Sequence, residues 1–502
     1  MRTFGTGAIT LRLGLVAAFG LGMACPGWAL THRKFDFVVG VDGDFKAMAA
    51  AAAKKATTSY RYYVFFPDGN YDIGSLVGDS NQKSTFSVAN VSMIGQSADK
   101  TVVYNKAINE GIGITATLYL YNADDLYMQD MTVMNKANYG QTSTYSVTGR
   151  YVAIQEQSDR MIYKNVKQLS TQDTYYTKGT RTYWEGGQID GTTDFICGGG
   201  DVYFNGVALN ELKAGSPITA SASNSTWGYV FQGCTIDAVS AGYLLGRSWD
   251  GAKVVYLNSI MKTLPSSAAW GDPMNSVPKV FAEYNSKTSA GATVDLSKRR
   301  TSYTLSGTTV TLNPVLTAAQ AATYTVSAVL AGTDSWKPDE LCKQLIAPVV
   351  SLSGTTLKWD DNTSALCWAV FKNGTYWGNT ATNSWDASSA VKGDVLTVRA
   401  ANSMGGLGAS SAAITVGTVG VVPEPSRSAG RMVQTGRILS WEGADRPVEV
   451  VTIHAASGAE VARVVPKGES LDLSTLHLPS GLYVARALSG SGTLFTGFVR
   501  LL

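Results

Sequence analysis

Histidine is nearly missing from this 502-residue chain. There are three, His32, His454 and His477, and none between residues 33 and 453. That excludes a Ser-His-Asp or Cys-His mechanism over the span, and any zinc site built on histidine, His-Glu-x-x-His included. Charge is sparse as well: charged residues make up 16% of the chain and the formal net charge is +3. No basic footprint for nucleic acid and no acidic tail is present. No glycine-rich phosphate or dinucleotide loop stands between a strand and a helix. Proline is scarce, 14 residues against 52 glycines, and with 24 tyrosines and frequent Thr, Ser and Asn this describes a strand-rich, turn-rich protein.

The ends and the cysteines add further exclusions. Arg2 and Arg12 are the only charges before His32, and the apolar stretch Leu13 to Met23 holds 11 residues, too few to span a bilayer comfortably. With Gly27-Trp28-Ala29 as a cleavage site, residues 1–29 read as a secretory signal and the mature protein is expected at the cell surface or outside it. Ala24-Cys25 suggests a lipoprotein, but Gly22 and Met23 suit that site poorly. Four cysteines remain after the leader, Cys197, Cys234, Cys342 and Cys367, without the short spacing of a disulfide framework. They are expected to pack as small buried residues.

A length of 502 residues predicts two to four domains. Between residues 160 and 262 five segments echo one another, each a short strand followed by a polar turn. Counted from Asn165, the corresponding turn positions are Gly186, Gly206, Gly233 and Asn258, at steps of 21, 20, 27 and 25 residues. Repeats of this length predict a solenoid, and their strand content favours a right-handed parallel β-helix. Asp44 followed by Phe45 to Lys55 reads as an N-capped, alanine-rich helix that closes the first coil. Leu316 to Tyr324 looks helical and able to lie against the last turns, with Trp336-Lys337-Pro338 ending the domain. From residue 345 the texture changes: Val349 to Trp359, Cys367 to Asn373 and Val395 to Asn402 alternate in strand fashion. Residues 345–416 resemble a fibronectin type III-like sandwich, and 417–430, with Pro423-Glu424-Pro425-Ser426, read as a linker. Residues 431–502 form another small strand-rich unit, whose Leu478-Pro479-Ser480-Gly481-Leu482-Tyr483-Val484 resembles the C-terminal sorting domains of bacterial type IX secretion. The expected fold class is all-β: a parallel β-helix followed by two small sandwich-like domains.

Within the coil, Asp173 and Asp194 stand 21 residues apart, nearly one repeat. Stacked parallel strands lie roughly 4.8 Å apart, so two side chains one coil apart face each other across about 5 Å. Two carboxyls that close cannot both ionise cheaply, so one keeps a proton and the other stays a carboxylate. A general acid and a nucleophile thus arise from one residue type. Ester cleavage, glycoside cleavage and a structural ladder of stacked aspartates all remain open on this ground alone.

Further motifs narrow the choice. Asp42-Gly43, Gly69-Asn70-Tyr71, Ile94-Gly95, Thr101-Val102-Val103 and Asp130-Met131-Thr132-Val133-Met134-Asn135 precede Gln172-Asp173-Thr174. Asp194-Phe195-Ile196-x-Gly198, Leu245-Gly246-Arg247-x-Trp249 and Phe281-Ala282-Glu283-Tyr284-Asn285 follow it. In this order, over roughly residues 36 to 340, the chain resembles the pectin methylesterases. The resemblance implies that Asp194 is the nucleophile on the C6 methyl ester of a galacturonate unit and Asp173 the acid that protonates departing methanol and then activates water. It implies Gln172 as an oxyanion donor and Arg247 as the residue that orients the Asp194 carboxylate. Trp249, Phe195 and Arg150 carry over as substrate contacts. Pectin is the implied partner of a monomeric chain, with secretion machinery engaging the C-terminal domain. No cofactor, metal, nucleic acid or membrane span is expected.

Each residue also has a structural alternative: Asp173 and Asp194 as turn residues, Arg247–Asp194 as a plain ion pair, Trp249 as core. Three positions depart from the family. Arg150, in Arg150-Tyr151-Val152-Ala153, stands where a second oxyanion glutamine is expected; its charge would favour an ionised Asp173 and weaken it as an acid. Gln155, the nearest replacement, has the opposite strand parity and is expected to point away. Cys197 replaces the usual Phe and Ser248 the usual Pro.

Overall fold

The computed structural model describes residues 31–78, 82–137, 139–140, 149–222, 225–417, 431–442, 447–455, 460–489 and 492–501. The leader read at 1–29 and all of the linker except Gly417 lie outside these. The chain divides into two compact units, one running to residue 390 and over 394–414, the other over 391–393 and from 415 onward.

In the first unit the described strands form three long parallel sheets of ten, seven and nine strands. From Tyr62–Phe66 onward, consecutive strands of these sheets fall in different sheets, and successive circuits add strands to each, which is a parallel β-helix. The repeat seen in the sequence is the register of the ten-stranded sheet: Lys164 pairs Glu185, Glu185 pairs Asn205, Asn205 pairs Gln232 and Gln232 pairs Leu257. The next residue in each strand turns the corner. Asn165, Gly186, Gly206, Gly233 and Asn258 all have φ between +49° and +67°, where only Gly, Asn and Asp sit at low cost. The polar residue that ends each repeat is therefore dictated by the backbone of the bend.

Inside the coil, equivalent side chains stack. Phe204 lies on Phe231 and Phe231 on Tyr256, each pair 4.4 Å apart and 8° from parallel, and Trp270 stacks on Phe281 at 4.3 Å. Such pairs add about 0.5–1.5 kcal/mol each beyond area burial. The helix Phe45–Lys55 begins at Asp44, whose carboxylate accepts from the Ala47 N–H at 2.8 Å, and it buries Phe45, Met48 and Ala52 against the first coil. The segment expected to be helical from Leu316 keeps one turn, Ala318–Ala321, with a Thr317/Gln320 capping box.

The outer face of the ten-stranded sheet is apolar too, along a row including Ile162, Tyr183, Tyr203, Val230 and Val255. It is covered twice. Val329, Leu330 and Trp336 pack on its later strands, and Leu366, Cys367, Ala369, Phe371 and Leu407 of the following sandwich belong to the same buried cluster. That sandwich has a three-stranded sheet built from Val350–Ser353, Thr356–Trp359 and Ser384–Asp386, and a five-stranded sheet centred on Cys367–Lys372 and Val395–Ala401. Residues 345–390 and 394–414 thus join the coil in one compact unit rather than hanging from it. Arg399 of the sandwich donates to Gln96 O at 2.9 Å and pairs with Asp130 at 3.4 Å, while Gln129 donates to Leu407 O at 3.0 Å. A Cβ on Gly406 would stand 2.1 Å from Gln129 Oε1, so the approach requires glycine.

The second unit is antiparallel: Arg431–Thr435, Ile438–Glu442 and Ser470–Asp472 form one sheet, and four strands between Val450 and Leu501 another. Its own core includes Trp441, Val451, Ile453, Tyr483 and Ala485. Among the described residues the four cysteines are free and buried, no group of His, Cys, Asp and Glu is placed to hold a metal, and no helix is long and apolar enough to cross a membrane.

Because Arg399 anchors the sandwich through a largely buried pair, Arg399→Ala is expected to cost about 2 kcal/mol. In thermal unfolding the coil and sandwich should still melt together, at a lower temperature. A transition of the sandwich separate from that of the coil in the wild type would contradict the joint unit.

Candidate functional site

The seven-stranded sheet carries the site. Its strands Tyr175–Thr177 and Ile196–Gly198 pair in parallel with Tyr175 opposite Ile196, which places Asp173 one coil before Asp194 in the same position. Both aspartates sit in left-handed backbone, at φ +61° and +52°, in the corner that leads into the strand. Each corner is fixed to the next coil. Asp173 N–H donates to Thr193 O at 3.3 Å and Asp194 N–H to Pro217 O at 2.7 Å. Beneath them, inside the coil, the Glu156 carboxyl accepts from the hydroxyls of Tyr175, Thr177 and Thr182 at 2.5–2.8 Å and from Tyr163 at 2.7 Å. The strand that follows Asp173 is therefore held from the interior.

Arg247 lies in the strand Leu244–Ser248, two strands beyond Asp194 in the same sheet, where it pairs with Ala220. Its Nε donates to Asp194 Oδ1 at 2.9 Å while a terminal nitrogen donates to Oδ2. This two-pronged grip fixes the plane of the carboxylate. Gln172, Asp173, Asp194, Arg247, Arg150 and Trp249 line one cavity of about 280 Å³. The Gln172 side-chain amide, half-buried on its wall, has no hydrogen-bond partner among the described residues.

The two acids differ in environment although both are about 4% exposed. Burial first, and then the charge of Asp194, pushes the Asp173 carboxyl up to about 8; Arg150, the Cys197 thiol and Arg247 oppose this. Burial also raises Asp194, but the hydrogen bonds and charge of Arg247 work against it. Of the two, Asp173 is therefore the better holder of a proton and Asp194, with Arg247 on both its oxygens, the better anion.

Three expectations change. Phe195 is wholly buried in the interior of the coil among the core residues, so it cannot touch a substrate. It follows the corner residue Asp194, where strand alternation does not hold, and with Ile196 it belongs to the interior core cluster. Gln155 does not point away from the site. Arg150 bridges Gln172, 22 positions on, whereas Gln155 pairs Tyr176, 21 positions on. The slip of one residue defeats a parity count, and Gln155 falls in a row with Tyr176, Cys197, Ala220 and Arg247, its Oε1 buried without a partner. Arg150, lastly, does not override the burial of Asp173. Its guanidinium is held by Glu110, with Nε to Oε2 at 2.9 Å and a terminal nitrogen to Oε1 at 2.8 Å.

Two site residues were missed in the sequence. Tyr176 stands beside Trp249, ring centres 6.1 Å apart; Trp249 lines both the acid cavity and a second one of about 740 Å³, whose lining also includes Tyr176, Gly198, Gly199 and Gly200. The signal was Tyr176 lying three residues after Asp173, on the strand that the aspartate introduces. Glu110 had none, because its contact with Arg150 spans 40 residues.

A parallel β-helix with a buried aspartate pair gripped by an arginine is the class this geometry defines. The pectinesterase family model matches residues 36–333, more than half of the chain, and the chain belongs to that family. It is similar to the probable pectinesterase A of Neosartorya fischeri, 30% identical over 204 residues, which is 39% of this chain and 59% of that protein. It is also similar to pectinesterase 1 of Arabidopsis thaliana, 27% identical over 316 residues, 59% of this chain and 49% of that protein. The chain thus spans about half to three fifths of these relatives' length. Among solved structures, pectin methylesterase PemA of Erwinia chrysanthemi aligns with a TM-score of 0.48 at 24% identity, covering 62% of this chain and 99% of that one.

The raised Asp173 has a cost in stability that depends on pH. An unfolded aspartate ionises near 3.9, the folded one about 8. Below pH 4 both states hold the proton and the contribution is fully present; between about 4 and 8 only the folded state holds it, so stability is lost as pH rises. Asp173→Asn tolerates the left-handed corner and removes this cost. The unfolding temperature of the variant minus that of wild type is therefore expected to grow by several degrees from pH 4 to pH 8. A difference independent of pH would contradict the assignment.

Proposed function

We propose that the chain hydrolyses methyl esters of the uronate units of pectin. The observation that carries this reading is the aspartate pair one coil apart, one member proton-bearing, the other anionic in the grip of Arg247. Asp194 attacks the ester carbonyl carbon. The tetrahedral oxyanion accepts a hydrogen bond from the Gln172 amide, which has no competing partner among the described residues and so costs no rearrangement. As the intermediate collapses, the carbon–methoxy bond breaks and Asp173 gives its proton to the leaving oxygen, releasing methanol and leaving an anhydride on Asp194. Asp173, now ionised, takes a proton from water; the hydroxide adds to the same carbon and expels the Asp194 carboxylate. The free uronic acid leaves and both aspartates return to their starting state.

Trp249, half-buried and lining both cavities, supplies a face on which a sugar ring stacks, and the cavity lined by Gly198 to Gly200 accommodates the neighbouring unit of a polymer. We further read the chain as a secreted, monomeric bacterial protein, with residues 1–29 as its export signal and 431–502 as the part addressed by secretion machinery. A second reading is favoured by Cys197. A thiol where the family resemblance places a phenyl ring leaves room beside Asp173, which suits an ester larger than methyl.

Wild type is expected to release methanol from methylated pectin, with activity falling as Asp173 loses its proton about pH 8. Asp194→Asn, which keeps the left-handed corner, should lower the rate at least ~10³-fold, and Gln172→Ala about 10²–10³-fold. An active Asp194→Asn protein would sink the mechanism. Release of a larger alcohol or acid with pectin inert would transfer the reading to the second ester class.

A further inference from the structure

Arg150 lines the same cavity as Asp173, yet the proton stays on Asp173. Burial and the charge of Asp194 raise Asp173 against it, and the group that restrains Arg150 is Glu110, on the segment between the strands Thr101–Asn105 and Leu118–Tyr121. It accepts three hydrogen bonds from one residue: from Arg150 Nε at 2.9 Å, from a terminal guanidinium nitrogen at 2.8 Å and from the Arg150 backbone N–H at 3.1 Å. The adjoining Gly111 N–H donates to Arg150 O at 3.0 Å, so backbone and side chain are tied to the same point. The hydrogen bonds draw the Glu110 carboxyl down to about 2, so it is an anion across the neutral range.

We propose that Glu110 is a positioning residue for the reaction: it holds the Arg150 guanidinium on the rim and balances its charge, which leaves Asp173 in its proton-donating form. The inference rests on the esterase reading above. The groups that face Asp173 are few. Asp194 and Cys197 lie on the following coil, Arg247 further along the sheet, Tyr176 on its own strand and Arg150 on the preceding coil; Glu211 faces Asp194 from the nine-stranded sheet. Of these, Arg150 and Arg247 are the cations. Arg247 is matched by Asp194, so the field of Arg150 is the one left to be offset, and the paired Glu110 carboxylate offsets part of it. A neutral glutamine at residue 150 would need no such partner; an arginine does.

The test is the pH dependence of kcat/KM for methanol release by the full chain. It compares wild type with Glu110→Gln, Arg150→Gln and the double variant. Both side chains are close to half exposed, so the folded state should tolerate the changes. In Glu110→Gln the unbalanced guanidinium favours ionised Asp173, and the alkaline limb is expected to move down by about half a pH unit. In Arg150→Gln it should move up by a similar amount, and in the double variant the two shifts should cancel and return it close to wild type, as expected of opposite charges acting on one carboxyl. Thermal unfolding of each protein against its own Asp173→Asn counterpart reads the same midpoint without turnover. An alkaline limb and a midpoint that stay fixed or rise in Glu110→Gln would overturn the proposal. Wild type without esterase activity, but with the midpoint still moving down, would refute the esterase reading and leave the role of Glu110 standing.

Discussion

Register between neighbouring coils is the constraint on which this molecule depends. A parallel strand pair fixes side chains on adjacent coils about 4.8 Å apart, and the 21-residue circuit from Tyr175 to Ile196 carries that spacing onto the preceding corners. Two aspartates are thereby forced within range of each other's charge. Coil packing then buries them, and burial with like charge makes one of them keep a proton. Neither effect alone decides which of the two keeps the proton; Arg247, reaching back two strands to one member only, breaks the symmetry.

The same arrangement explains why the site has a stability cost. Asp173, with its carboxyl pushed up, and Glu211, pushed up to about 9 by burial and by Asp194, are acids kept from water near the working centre. The fold compensates elsewhere, through the aromatic stacks of Phe204, Phe231 and Tyr256 and the hydroxyl ring around Glu156. The apolar outer face of the ten-stranded sheet is covered by the sandwich and the helical turns near Leu330. The sandwich acts as a wall of the coil, and its strands lie on a different sheet from the one bearing the aspartates.

Much of this was legible in the residues. The corner positions Asn165 to Asn258 reported the register because a left-handed bend admits few residue types, and Asp44 marked the start of its helix through capping. The aspartate pair followed from the same periodicity. Other features depend on information that linear patterns do not hold. The inward turn of Phe195 and the outward turn of Gln155 both follow from corners and a one-residue slip, where alternation stops counting. The hold of Glu110 on Arg150 and the docking of Arg399 onto Asp130 join residues far apart in the chain, with no local signature on either side.

The central claim is that Asp173 holds a proton at neutral pH while Asp194 does not. Infrared difference spectroscopy of wild type minus Asp173→Asn tests it most directly, because other buried acids such as Glu211 cancel. The account predicts a protonated-carboxyl band at pH 7 that vanishes with a midpoint about 8. Absence of that band at pH 7, with only a carboxylate signal in its place, would contradict it.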